Sequence, residues 1–194
     1  MGLDCTAFCE CKYIGEGSYD HDEDVWRLRD GSELDRTVNY VEVYERLLTE
    51  FPASSRGIKA GIYSYEDDIN WCAGSYTDYN YWRDDLAKMA GYVIVVDETE
   101  NPAPSEFPYA VAALLLEAGP FLELIKFSDC EGVIGTEACT KLAKDFRDYD
   151  EKARSFRDDL EKKDSRGNHW YLLYQKWREA CEYASTGGFV AFGI

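Results

Sequence analysis

The chain has 194 residues, with 38 acidic against 21 basic side chains and a formal net charge of −17. That balance repels phosphate backbones and argues against a broad nucleic-acid-binding face, and no apolar run approaches the length that crosses a bilayer. Hydrophobic residues at 45% and aromatic residues at 15% exclude an acidic disordered segment and predict a folded core.

In chain order, loose alternation over 3–13 predicts a strand, 15–18 a turn, and 25–29 a second strand as its hairpin partner. On an extended backbone Cys5, Cys9 and Cys11 share one face. They read as core thiols, because zinc needs a fourth ligand and the chain offers only His21 and His169. Seven cysteines without a recognisable secretion signal fit reduced thiols. Val38, Val41, Tyr44, Leu47 and Leu48, spaced by three and four, predict an amphipathic helix over 38–50 that ends before Pro52. Residues 58–65 read as a strand. Ser75 or Thr77 is suited to cap a helix over 81–90, and Gly91 to close it in a left-handed conformation.

Further on, 93–96 reads as a short buried strand and 97–106, with two prolines, as a surface loop. A helix over 107–117 breaks at Gly119-Pro120, and an apolar run follows over 121–127. Ala138, Leu142, Phe146 and Tyr149 form one stripe of a long helix over 136–160. The last helix, 171–184, turns Trp170, Leu173, Tyr174, Trp177 and Cys181 to the core, and Gly187-Gly188 releases a strand over 189–192. The order predicts a single α+β domain spanning 1–194, built on a mainly antiparallel sheet with helices packed on one face.

Two clusters carry chemistry. Ser128, Asp129, Cys130 and Glu131 lie between an apolar run and a helix start. Asp129 and Glu131 point the same way on an extended backbone, suited to a ligand or to a metal with water; the structural alternative is that they favour the positive end of the following helix. Cys130 is a poor nucleophile, since acidic neighbours raise a thiol pKa. In the second cluster Tyr76, Tyr79, Asn80 and Arg83 share one helix face, able to receive a phosphate or carboxylate beside aromatic rings. The candidate ligand set is therefore Tyr76, Asn80 and Arg83, with Ser128, Asp129 and Glu131 opposite. No Walker loop, H-E-x-x-H or G-x-S-x-G supports a catalytic assignment.

Residues 73–76, 79–83, 128–135, 141–146 and 187–190 resemble a group of bacterial and bacteriophage proteins of no settled activity; the likeness runs over roughly 58–194. It implies a mobile-element context. The expectation is a non-enzymatic binding protein in the cytoplasm of a bacterial host, inhibiting a host defence factor or sequestering a small anionic ligand. It has no cofactor or resident metal, no membrane partner and no direct nucleic-acid partner, and its oligomeric state is open. The alternatives are a metal-dependent hydrolase using Asp129 and Glu131, and an acidic mimic of nucleic acid.

Overall fold

The computed structural model describes residues 2–94, 105–127 and 131–192. Strands β1 (Gly2–Phe8), β2 (Lys12–Gly15), β3 (Gly17–Asp20), β4 (Val25–Leu28) and β5 (Asn39–Val43) precede helix α1 (Glu45–Glu50). Strands β6 (Gly61–Tyr65) and β7 (Asp68–Ser75) lead into α2 (Tyr76–Ala90). Then come α3 (Pro108–Leu114), α4 (Leu122–Ile125), β8 (Gly132–Ile134), α5 (Thr136–Asp148), α6 (Asp150–Asp164), α7 (Gly167–Ala184) and β9 (Phe189–Phe192). The fold is α+β. An antiparallel four-stranded sheet runs β7-β1-β9-β8, a three-stranded sheet runs β2-β6-β5, and β3 with β4 forms a separate ribbon.

Period-two alternation on the four-stranded sheet divides the interior. Phe8, Val133, Phe189 and Ala191 join Val41, Val43, Leu47 and Tyr63 in a core beside β5 and β6. Cys5, Ala7, Ile134, Val190 and Phe192 face the other way, into the larger core of α2, α5 and α7. The large helices α2, α5 and α7 therefore cover one face of this sheet, while β5 and β6 together with the short α1 cover the other, so the helices are not confined to one face. Both faces of β9 are buried, which is why its four residues are all apolar.

The sequence reading and the structure part at several places. Residues 38–50 are not one helix: β5 pairs with β6 from Asn39 to Val43, and only α1 is helical. Val41 belongs to both patterns, to the helical spacing of Val38, Val41 and Tyr44 and to strand alternation with Val43, and pairing with β6 decides between the two. The predicted 136–160 helix breaks at Tyr149 (φ −101, ψ 2), whose ring packs on Phe121 at 5.4 Å. The break lets α6 turn back along α7, where Phe156 meets Trp170 at 5.0 Å. The 3–13 strand ends at Phe8, and Glu10 takes a positive φ of 49. Cys5 thus faces the helical core while Cys11 packs on the other one, so the three thiols do not share a face. The partner of β4 is β3, in register from Gly17↔Leu28 to Asp20↔Val25. Of the predicted 93–96 strand, Val93 and Ile94 are not in a strand and the rest lies outside the described residues, as does most of the 97–106 loop. Among the described residues no helix is long and apolar enough to cross a membrane.

A buried carboxylate joins the strand layer to the helices. Glu123 of α4 is 8% exposed and accepts from Arg56 at 2.9 Å and from Lys141 at 2.6 Å. Lys141 also meets Asp145 at 2.8 Å, and Asp145 accepts the Phe121 N–H at 2.8 Å. Phe121 is buried at φ 59, a conformation unusual for a bulky residue. Alongside, the 54–56 backbone lies against the start of α5, with Gly135 N–H donating to the Ser54 carbonyl at 2.9 Å. A Cβ on Gly135 would come within 2.3 Å of the Arg56 carbonyl oxygen, so this approach requires glycine.

Two substitutions test this seam in urea unfolding. Glu123→Gln removes charge-assisted bonds and lowers stability by about 1.5–3 kcal/mol. Gly135→Ala costs about 1–3 kcal/mol through backbone overlap. Gly31→Ala, at φ 88 with open space around it, shows only a backbone penalty of about 1 kcal/mol.

Candidate functional site: a cleft between α2 and α7

Helix α2 starts where local chemistry directs it. The Ser75 hydroxyl accepts from Asp78 N–H at 3.1 Å, and the Asp78 carboxylate accepts from Ser75 N–H at 3.3 Å. This reciprocal capping box satisfies two donors that the first turn leaves free. Gly91, at φ 105, closes the helix in the left-handed conformation. Two tryptophans then pin α2 to the first turn of α7. Trp82 Nε1–H donates to the Trp170 carbonyl at 3.1 Å, and Trp170 Nε1–H donates to the Trp82 carbonyl at 3.4 Å.

Above these indoles lies a cleft of about 370 Å³. Asp78, Tyr81 and Asp85 line it from α2; Arg166, His169 and Leu173 line it from the other side. A second depression of about 250 Å³ shares Ala73, His169 and Leu173 with it and adds Trp71, exposed Leu172 and Lys176. The result is one groove, apolar at its base, with carboxylates on the α2 wall.

The two carboxylates differ. Hydrogen bonds from Ser75 hold Asp78 below the usual carboxylate range, and the nearby His169 acts in the same direction. Asp85 is pushed up by burial, against the opposing pull of Arg166. Its side chain is 15% exposed and meets Arg166 at 3.3 Å. Arg166 is itself shared with Asp164 at 2.9 Å. Ionised Asp85 is therefore only partly compensated.

The residues predicted as a ligand set lie elsewhere. Tyr76 is half-buried and packs against the helical core. Arg83 donates to the Asn80 side-chain oxygen, to the Phe127 carbonyl and, at 3.3 Å, to the Ile125 carbonyl. Its guanidinium lies 5.1 Å from the Tyr79 ring centre, and its Nε–H is buried without a hydrogen-bond partner among the described residues. The Asn80–Arg83 face is thus brought against the end of the 121–127 segment by direct contact with its backbone. Glu131 is exposed and paired with Arg46 of α1. Ser128, Asp129 and Cys130 lie outside the described residues. Among the described residues no group of three or more His, Cys, Asp or Glu side chains is placed to hold a metal ion.

Sequence reasoning passed over Asp85, Arg166 and the cleft. A signal was present: Asp78, Tyr81, Trp82 and Asp85 follow the i, i+3, i+4, i+7 spacing of a single helix face. The other wall is distant in the chain, with Arg166 81 positions from Asp85.

The raised Asp85 pKa has a definite pH signature. The folded state binds this proton more tightly than the unfolded chain does, so its contribution to stability falls as pH rises through the folded pKa. Asp78 has the opposite sign: its contribution is present above the unfolded pKa and lost as pH falls through the depressed one. Asp85→Asn therefore gains stability relative to wild type as pH rises from about 4 to about 7. Urea unfolding of both proteins across that range checks it, and a difference independent of pH contradicts the assignment.

No protein-family model, no curated protein and no solved structure matches this chain.

Proposed function

We propose that the chain is a binding protein whose α2–α7 cleft receives a basic, partly apolar segment of another protein. The observation that carries this reading is Asp85. A carboxylate set among tryptophans, with its ionisation disfavoured by burial and a half-exposed arginine as its shared partner, weakens the free protein. A cation from outside relieves that cost. Tyr81 and Leu173 on the walls suit an apolar neighbour of that cation, and the net charge of −17 steers a basic partner towards the surface. The indole bonds between α2 and α7 hold the groove open, which limits the ordering cost of binding.

A small anion is less well served here, because Arg166 is already engaged by two carboxylates while Asp78 and Asp85 repel negative charge. The partner we propose is a protein of a bacterial host, bound so as to occupy it, in line with the mobile-element context that the sequence resemblance implies.

The test is parallel capture from bacterial lysate by wild type, Asp85→Asn and the groove-blocking Leu173→Arg. A specific partner is retained by wild type, and its affinity falls about tenfold or more when the buried charge is removed. It is released by moderate salt. Identical sets of captured proteins for all three would end the proposal.

A further inference from the structure

A separate concave site, sharing no lining residue with the cleft, lies on the β3–β4 ribbon where it meets β5. A depression of about 330 Å³ is lined by Tyr19, Trp26 and Tyr40, with Asp24, Asp35 and Arg36 among the groups around them. Tyr19 and Trp26 are directly opposed across the ribbon, with ring centres 5.2 Å apart and planes at 59°. Trp26 and Tyr40 follow at 6.1 Å and 59°. All three rings are half-buried and line the depression without closing a core.

We propose that this depression binds an alkylated ammonium cation, through the faces of Tyr19, Trp26 and Tyr40 and the charges of Asp24 and Asp35. The aromatic faces attract cations by their quadrupoles. The surroundings reinforce them: residues 16–42 contain nine acids against three arginines. Asp35 accepts from Thr37 N–H at 2.9 Å and from its hydroxyl at 2.8 Å, which keeps that carboxyl below its usual range and charged at neutral pH. Asp24 accepts the Tyr19 hydroxyl.

These internal bonds choose the class of cation. Both carboxylates supply charge, but their oxygens are already partly engaged by the protein's own donors. A primary ammonium is strongly hydrated and needs acceptors to replace its water. An alkylated ammonium has few or no N–H donors and gains from aromatic contact instead. Arg36 is the competing cation: it lines the depression, is exposed, and reaches the Glu23 carbonyl at 3.4 Å. A bound ligand takes the place of its charge beside Tyr19, whereas an anionic ligand would require Arg36. The sign of the Arg36 effect therefore separates the two classes.

The experiment titrates the whole chain with choline, with its neutral isostere 3,3-dimethylbutan-1-ol, and with a trimethyllysine peptide beside its unmodified lysine form, read by calorimetry. Choline binds while the isostere does not. Arg36→Ala binds several-fold tighter, and Trp26→Leu about tenfold weaker, as loss of the best cation-attracting ring implies. A trimethyllysine peptide at least about tenfold tighter than choline identifies a protein side chain as the source of the cation; parity identifies a small molecule. Equal binding of choline and its isostere, absence of binding by every cation, or weaker binding by Arg36→Ala overturns the proposal. Arg36 is exposed, so its variant remains informative even where Trp26→Leu does not fold.

Discussion

The buried Glu123 carboxylate is the constraint on which the arrangement of layers rests. It sits on a four-residue helix too short to hold itself together, so its position comes from the charges that surround it. Arg56 belongs to the connection between α1 and β6, while Lys141 and Asp145 belong to α5. One carboxylate thus fixes the connection from the strand layer against the helical layer, and Asp145 fixes the Phe121 turn that starts α4. A buried ion pair of this kind adds less to net stability than its Coulomb energy suggests. Its effect is on geometry: two cations and two carboxylates are satisfied together in this arrangement, and moving any one segment leaves a charge without its partner. Arg83 then takes the next step, holding the carbonyls at the end of the same segment from α2.

Helix α2 consequently has three different duties around its circumference. One face is buried, with Tyr79, Trp82, Leu86 and Met89 in the core. A second, at Arg83, clamps backbone. The third, carrying Asp78, Tyr81 and Asp85, faces the cleft. Of these the cleft face alone carries a carboxylate whose ionisation burial opposes while leaving it open to a ligand. Asp84, also raised by burial, spends its oxygen on the N–H groups of Tyr109 and Ala110, both at 2.8 Å, and so serves the start of α3. The contrast between adjacent aspartates marks which one is structural.

Much of the fold was legible where the signal is local. The apolar run of β9, the core face of α7 and the Gly91 terminus of α2 follow from periodicity and from the left-handed preference of glycine. Residues 38–50 were not, because Val41 satisfies both the helical spacing with Val38 and Tyr44 and the strand alternation with Val43, and the decision belongs to β6. Nor was the break at Tyr149, which contains neither glycine nor proline and is set by α6 packing back on α7. The α2 segment was recognisable as chemically unusual, but its cleft stripe was not, since its meaning depends on His169 and Arg166 from a helix start far along the chain. The aromatic depression was invisible for the same reason: Tyr19, Trp26 and Tyr40 come from three strands.

The position of β9 has a consequence for how the molecule is reached. It pairs with β1 on one side and β8 on the other, so the middle of the principal sheet unites opposite ends of the described chain. Such closure is slow, since the entropy of a long loop must be overcome before the contacts that reward it exist. Without β9, β1 and β8 would each have an unpaired edge and both cores would lie open along Phe8, Val133 and Ile134. An open apolar edge is a template for association between chains. A surplus of acidic side chains opposes such association, because chains of like charge repel one another.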